Sequence, residues 1–344
     1  MITSLREDNK INKIRSLLAN SSNIVAVTHS GPDGDAIGST TAFKAVMQRL
    51  EKTVNIITPD MMLASLRSVP FAKDVCDATK YPDFAKKLIS EADLIVCLDF
   101  NALSRLGKIG NLIKESSAAK ILIDHHTDPE NFADVAISRP EVSSTCFLLF
   151  RVLCALELFA YIDKDSATSI LTGMMTDTGN FSYNCDDPDI YVVIAELIKK
   201  GVDKEKIYKQ QFATRSLDSL KIQAYAIDKR MEVNIQEKYA IISLSRAELN
   251  QFNYVKGDTE GLVNKPLEVP GIELSVFLRE EDGFVKVSMR STDSMPFANK
   301  ICTELFGGGG HAKAAGGEFD GTLSECIEHF KNNIQRLENE FSKD

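Results

Sequence analysis

The sequence predicts an α/β protein in two parts, an N-terminal doubly wound parallel-sheet domain followed by a smaller C-terminal mixed α/β domain. Three observations carry this reading. Short Val- and Ile-rich runs without polar alternation recur through the first half, as in a parallel sheet covered on both faces. Helical patterns separate those runs, the order expected of a doubly wound fold. Beyond about residue 200 the texture changes to polar helix and then to strands of alternating polarity.

In the first half, Ile24–Thr28, Val54–Thr58, Leu94–Asp99 and Ile121–Asp124 read as buried strands. Helical patterns cover Ala36–Leu50, Phe84–Glu91 and Leu103–Glu115. Two further helices follow, Ser144–Leu158, with Ser143 as its N-cap, and Lys164–Thr176. After the amphipathic helix Tyr191–Lys200, residues 201–230 are polar and mostly helical. Tyr239–Ser245, Ile272–Leu278 and Phe284–Met289 then read as strands, and Phe297–Leu305 and Ser324–Phe341 as helices. The expected division is a first domain over residues 1–195, a helical connector over 196–228 and a second domain over 229–344.

The chain has 344 residues, 44% hydrophobic and 26% charged, which suits two soluble domains with sizeable cores. A net charge of −9 argues against coating long duplex nucleic acid, which usually takes a basic surplus. An anionic substrate must therefore meet a local cluster of positive charge or metal, which favours small substrates. The seven cysteines include no CxxC pair and read as reduced core thiols. No apolar run reaches the roughly 18 residues needed to cross a bilayer, and Met1–Lys13 is polar. The expectation is a cytoplasmic protein with no membrane partner.

The chemistry collects at the ends of the apolar runs. The first strand runs into His29-Ser-Gly-Pro-Asp33-Gly-Asp35-Ala-Ile-Gly38-Ser39, where ligands bind in an open α/β sheet and where a helix N-terminus favours anions. The third ends in Asp99, the fourth in Asp124-His125-His126, and helix 164–176 in Asp177-Thr-Gly179. One such acid is usually a cap; four elements delivering Asp and His to one sheet edge point to a site. Oxygen-rich ligands with imidazole and no thiolate suit Mn²⁺ or Mg²⁺, with Co²⁺ or Zn²⁺ as alternatives. Four carboxylates, Asp33, Asp35, Asp99 and Asp177, balance two divalent ions, and Asp99 is placed to bridge them. Such a pair activates water and stabilises in-line displacement at phosphorus. Near the C-terminus, Phe306-Gly-Gly-Gly-Gly-His311-Ala-Lys-Ala-Ala-Gly316 contains glycines whose N–H groups can approach an anion closely. Arg290 and Ser291, ending the strand before it, can clamp a phosphate.

These segments resemble the four motifs of the DHH phosphoesterase superfamily, and GGGGH at 307–311 resembles the signature of the DHHA1 substrate-binding domain. The layout looks like the nano-RNase/pAp-phosphatase family and covers nearly the whole chain. The resemblance implies one metal held by His29, Asp33 and Asp99 and a second by Asp35, Asp99, His125 and Asp177, with Mn²⁺ the leading ion. It implies His126 as a phosphate donor or proton source, acting with Asp99 as the catalytic pair. Arg290, Ser291, Gly308, Gly309, Gly310 and His311 would bind substrate across an interdomain cleft. Asp124 reads equally as an orienting acid or a loop cap, Arg215 as a surface or cleft residue, and His329 as a packing histidine. The implied reaction trims short oligoribonucleotides or removes the 3′-phosphate of pAp. The implied partners are a nucleotide or short single-stranded RNA, with a homodimer compatible. The runner-up is a cyclic-dinucleotide phosphodiesterase. A family II pyrophosphatase would need a lysine-rich signature that the chain lacks, a RecJ-like exonuclease a longer chain, and a non-catalytic module the loss of a ligand.

Overall fold

The computed structural model describes residues 7–341, so the first six residues of the polar N-terminus lie outside the described residues. The chain forms two compact units, one ending at Thr214 and the other beginning at Arg215.

The first unit is built on one parallel sheet of β1 (Asn23–Val27), β2 (Thr53–Thr58), β3 (Val75–Asp77), β4 (Leu94–Leu98), β5 (Ala119–Asp124) and β6 (Val135–Ser138). Their order is β3-β2-β1-β4-β5-β6. The order reverses between β1 and β4, and the crevice beyond their carboxyl ends is where such sheets bind ligands. The edge strands β3 and β6 had no counterpart in the sequence reading, because three or four residues make too short an apolar run. Helices α1 (Asp8–Asn20), α2 (Gly34–Arg49), α3 (Pro82–Ser90), α4 (Ile109–Glu115), α5 (Thr145–Ala155), α6 (Lys164–Asp177), α7 (Pro188–Lys199) and α8 (Lys204–Gln211) complete the unit.

Alternate strand residues enter two separate cores. Ile24, Ala26, Val96 and Ile121 pack with α1, α2, α5, α6 and α7, while Val25, Ile95, Cys97 and Leu122 pack with α3 and α4. Burial on both faces is why these strands lack polar alternation. Helix α2 is buried from Gly34 to Met47, and its hydroxyls Thr40 and Thr41 are satisfied by the carbonyls of Ala36 and Ile37. Its contact with α6 is close: a Cβ on Gly38 would stand 2.6 Å from the Ser169 carbonyl oxygen.

Two local expectations are corrected. The helix expected over Leu103–Glu115 breaks into a 3₁₀ turn, Leu103–Leu106, and α4, because Gly107 adopts φ +53° between them. The N-cap of α5 is Ser144, not Ser143; its hydroxyl accepts from the Phe147 N–H. The polar stretch read as a connector divides: α8 packs on α6 of the first unit, and α9 (Leu217–Arg230) packs on β8 of the second.

The second unit contains β7 (Met231–Asn234), β8 (Tyr239–Leu244), β9 (Leu274–Glu280), β10 (Val285–Ser291), β11 (Gly309–His311) and β12 (Ala314–Phe319), in the order β11-β12-β10-β9-β8-β7. Only β8 and β9 pair in parallel. After α10 (Arg246–Gln251), α11 (Ala298–Phe306) and α12 (Leu323–Phe341) cover one face of the sheet. On the other face, α9, α10 and the 3₁₀ segment Leu262–Glu268 cover β8 and β9. Ser288, Gly316 and Gly309, aligned on that second face, keep partial or full exposure. All seven cysteines are free, and no described helix is long and apolar enough to cross a membrane.

Candidate active site

The four carboxylate- and histidine-bearing segments meet at the carboxyl edge of the first sheet. Among the groups whose ligand atoms lie within 4.8 Å of one another are His29, Asp33 and Asp99; Asp35, His125 and Asp177; and Asp99, Asp124 and His126. The first two are the candidate ligand groups. Asp99 lies between them. Its Oδ2 is 3.4 Å from His29 Nε2, and its Oδ1 is 3.6 Å from His125 Nε2. Asp99 directly follows β4 with φ +68°, a left-handed conformation that Asp tolerates better than most residues and that is common at functional sites.

Each histidine is oriented through its Nδ1. That atom donates to the Ser30 carbonyl in His29 (2.8 Å) and to the Val142 carbonyl in His125 (3.3 Å). Because a carbonyl only accepts, Nδ1 carries the proton in both rings, and Nε2 is the nitrogen turned to the carboxylates. Histidine metal ligands are prepared in this way. His126 instead donates Nδ1–H to Asp124 at 2.7 Å, and Asp124 also accepts the His126 backbone N–H. Asp124 is fully buried, so the orienting alternative is the one its geometry matches.

The acids are held as firmly. Asp33 caps α2, accepting from the N–H groups of Asp35 and Ala36 at 3.0 Å. Asp35, inaccessible to solvent, accepts the N–H groups of Thr145 (2.6 Å) and Cys146 (2.8 Å). Asp177 ends α6, with Oδ2 3.2 Å from His125 Nε2. Gly173 makes room behind Asp35, since a Cβ there would stand 2.6 Å from its Oδ1.

The electrostatics of the cluster call for added positive charge. Burial, with the charges of Asp177 and Asp99, pushes Asp35 well up. Burial, opposed by the His125 hydrogen bond and reinforced by Asp33 and Asp99, raises Asp177 to about 6. Burial would lower His29, but the Asp99 hydrogen bond and the charges of Asp33 and Asp99 outweigh it and raise it to about 9. His125 is raised on the same grounds by Asp177, Asp99 and Asp35. For Asp99, burial is outweighed by the His29 hydrogen bond and the three histidine charges, which hold it below the usual carboxylate range. In the absence of metal, protons on the histidines and acids therefore stand in for divalent cations. The oxygen-rich donor set with imidazole suits such cations.

In the second unit, the strand register aligns Arg290 of β10 with Ala314 of β12, and Ala314 with His311 of β11. Directly opposed residues share a face, so Arg290 and His311 flank a small alanine. The next row, Ser288, Gly316 and Gly309, is smaller still. Ser291 departs from its expected role. Alternation along β10 buries it with Val287 and Met289, and its hydroxyl donates to the Ala312 carbonyl. The glycines have distinct reasons. A Cβ on Gly308 would stand 2.0 Å from the Gly316 carbonyl oxygen and one on Gly310 2.4 Å from that of Ala314, while Gly309 faces open space. Gly308 and Gly310 are thus first a requirement of close backbone packing. Arg215 lies beside Gly261, and His329 packs against Phe306 and Phe319.

Two residues escaped the sequence reading. Asp60 accepts the Gly31 N–H at 2.6 Å and so fixes the loop between His29 and Asp33. It follows an apolar strand, the same signal that marked Asp99. Thr145, read only as part of a helix start, touches both Asp35 and Asp99.

The DHH family N-terminal domain matches residues 23–175, and the DHHA1 domain matches residues 236–341. A Thermus thermophilus protein named bifunctional oligoribonuclease and PAP phosphatase NrnA is 31% identical over 87% of this chain and 84% of its own length. The chain belongs to the DHH phosphoesterase family, of the oligoribonuclease and PAP-phosphatase type. As a member it is a hydrolase acting on phosphate esters. The crystal structure of an exopolyphosphatase-related protein from Bacteroides fragilis is also similar, with TM-score 0.93 and 41% identity over 96% of this chain and 97% of that one. The cyclic-di-AMP phosphodiesterase GdpP of Bacillus subtilis is 25% identical over 93% of this chain, which spans 49% of that protein.

Proposed function

We propose that this DHH phosphoesterase hydrolyses short oligoribonucleotides from an end and the 3′-phosphate of pAp. The observation that carries the reading is the pair of ligand groups sharing one sheet edge, with Asp99 between them. His29, Asp33 and Asp99 would hold one divalent ion, and Asp35, Asp99, His125 and Asp177 a second, with Mn²⁺ the first choice. Bound there, such ions activate water near neutral pH and offset phosphoryl charge. With its Nδ1–H committed to Asp124, His126 would donate from Nε2 to a phosphoryl or leaving-group oxygen in its doubly protonated form, as hydrogen-bond or proton donor. In the second unit, Arg290 and His311 would hold a substrate phosphate or backbone above the Ala314 and glycine floor, with the backbone of Gly308, Gly309 and Gly310 bordering it. Ser291 has no part in that surface.

A second reading, hydrolysis of cyclic di-AMP, is favoured by the similarity to GdpP over 93% of the chain. One comparison separates the two. With Mn²⁺ and an EDTA control, kcat/KM is measured on pAp, pGpG, a five-residue RNA, cyclic di-AMP and pyrophosphate. The proposal expects pAp or the short RNAs to dominate and EDTA to abolish turnover. Dominance of cyclic di-AMP would transfer the function to the second reading, and dominance of pyrophosphate would sink both.

A further inference from the structure

The first turn of α5 lies outside every ligand-bearing segment, yet it touches carboxylates of both ligand groups. Thr145 is its first residue. The Thr145 hydroxyl donates to Asp99 Oδ1 at 3.0 Å, and the Thr145 N–H donates to Asp35 Oδ2 at 2.6 Å. The next N–H, of Cys146, donates to Asp35 Oδ1 at 2.8 Å. The third, of Phe147, is taken by the Ser144 cap at 3.1 Å. A helix begins with N–H groups that have no partner within the helix. Here two of them are committed to a buried carboxylate, which also gains from the positive end of the helix dipole. Thr145 and Ser144 are themselves fully buried.

The surroundings fix this turn against α2 and α6. Cys146 Sγ occupies the space that glycines leave: a Cβ on Gly173 would stand 2.3 Å from it, and one on Gly38 3.0 Å. The turn is therefore packed tightly behind the acids. The hydroxyl contact has a directional consequence. By occupying one lone pair of Asp99 Oδ1, Thr145 sets which remaining lone pairs Asp99 can turn toward the two ligand groups.

We propose that Thr145 is a positioning residue that ties the shared carboxylate Asp99 to Asp35, so that the two ligand groups are held in register for a pair of divalent ions. This rests on the two-metal reading above. Orienting partners of metal ligands typically account for about 10–100-fold in metal affinity or activity, and Thr145 serves two ligands at once.

The test compares the full chain with Thr145→Val, which keeps shape but loses the hydroxyl, Thr145→Ser, which keeps the hydroxyl, and Thr145→Ala. Mn²⁺ binding is measured by calorimetry, the spin coupling of bound Mn²⁺ by electron paramagnetic resonance, and turnover of pAp alongside. The expected result is about 10–100-fold weaker Mn²⁺ binding and altered coupling in Thr145→Val, with kcat falling more than KM rises, and Thr145→Ser within a few-fold of the parent. Thr145→Ala substitutes for the Val variant if the latter does not fold, with the same loss expected. Unchanged binding and coupling in Val or Ala would overturn the proposal, as would an equal loss in Ser. If the parent itself binds no Mn²⁺ pair and ignores EDTA, the two-metal reading fails instead, and with it the role for Thr145.

Discussion

Asp99 is the residue on which the site turns. Its left-handed backbone, its Thr145 hydrogen bond and its contacts to His29 and His125 all place one carboxylate between two ligand groups. Asp99→Ala is expected to abolish turnover and Mn²⁺ binding while leaving the fold intact, as circular dichroism and calorimetry would register. Asp124 offers a subtler case. Asp124→Asn removes the charge that holds His126 Nδ1–H, and a fall of about 10–100-fold in kcat with little change in KM is expected. An unchanged kcat would deny His126 an oriented role. The metal-ligand candidates were legible as residues because each ends an apolar run. Their hydrogen-bond partners were not, because Ser30, Val142 and Thr145 carry no chemistry until folding brings them within 3.3 Å of a ligand.

At the scale of elements, glycines set distances between helices and strands. Gly173→Ala would press a methyl group against Asp35 Oδ1 and Cys146 Sγ, in a place with no room to yield. The expected cost is about 1–3 kcal/mol of stability, typical of overpacking, with weaker Mn²⁺ binding. Denaturant unfolding and calorimetry would measure the two effects. In the β11–β12 hairpin, Gly308→Ala and Gly310→Ala are expected to lower stability because each Cβ meets backbone. Gly309→Ala should leave the melting temperature unchanged and raise KM for nucleotide if that face carries substrate. An unaltered KM would remove Gly309 from the binding surface. The parallel strands were readable because burial on both faces strips them of polar residues. β3, β6 and β11 were not, since edge strands of three or four residues gain their definition from a neighbour rather than from their own pattern.

For the molecule as a whole, the acidic cluster couples metal, protons and stability. Without metal, His29 is raised from 6.5 to about 9 and Asp177 from 3.8 to about 6. A raised folded-state pKa contributes stability that is fully present below the unfolded value and lost as pH rises through the folded one. Asp177 therefore loses its contribution between about pH 4 and pH 6, and His29 predicts a metal-free protein whose melting temperature falls between about pH 6.5 and pH 9. The lowered Asp99 acts in the opposite direction only at acid pH. Metal must displace these protons, so Mn²⁺ affinity should strengthen as pH rises toward 9, with proton release detectable by calorimetry in buffers of different ionisation enthalpy. A melting temperature flat across that window in chelator would contradict the electrostatic account.

The sequence by itself determined the fold class, the Asp and His residues gathered at the strand ends and the glycine-rich segment beside His311. Those features are local: strand burial, abrupt termination in an ionisable residue, and composition all show within a few positions. Tertiary structure alone decided that Asp124 grips His126, that Ser291 turns into the core, that Asp60 fixes the first loop and that Thr145 joins Asp35 to Asp99. The first is a local contact set by the turn that follows β5. The others are contacts between segments far apart in the chain or a choice of face on a strand, and such outcomes depend on register, cap position and helix spacing.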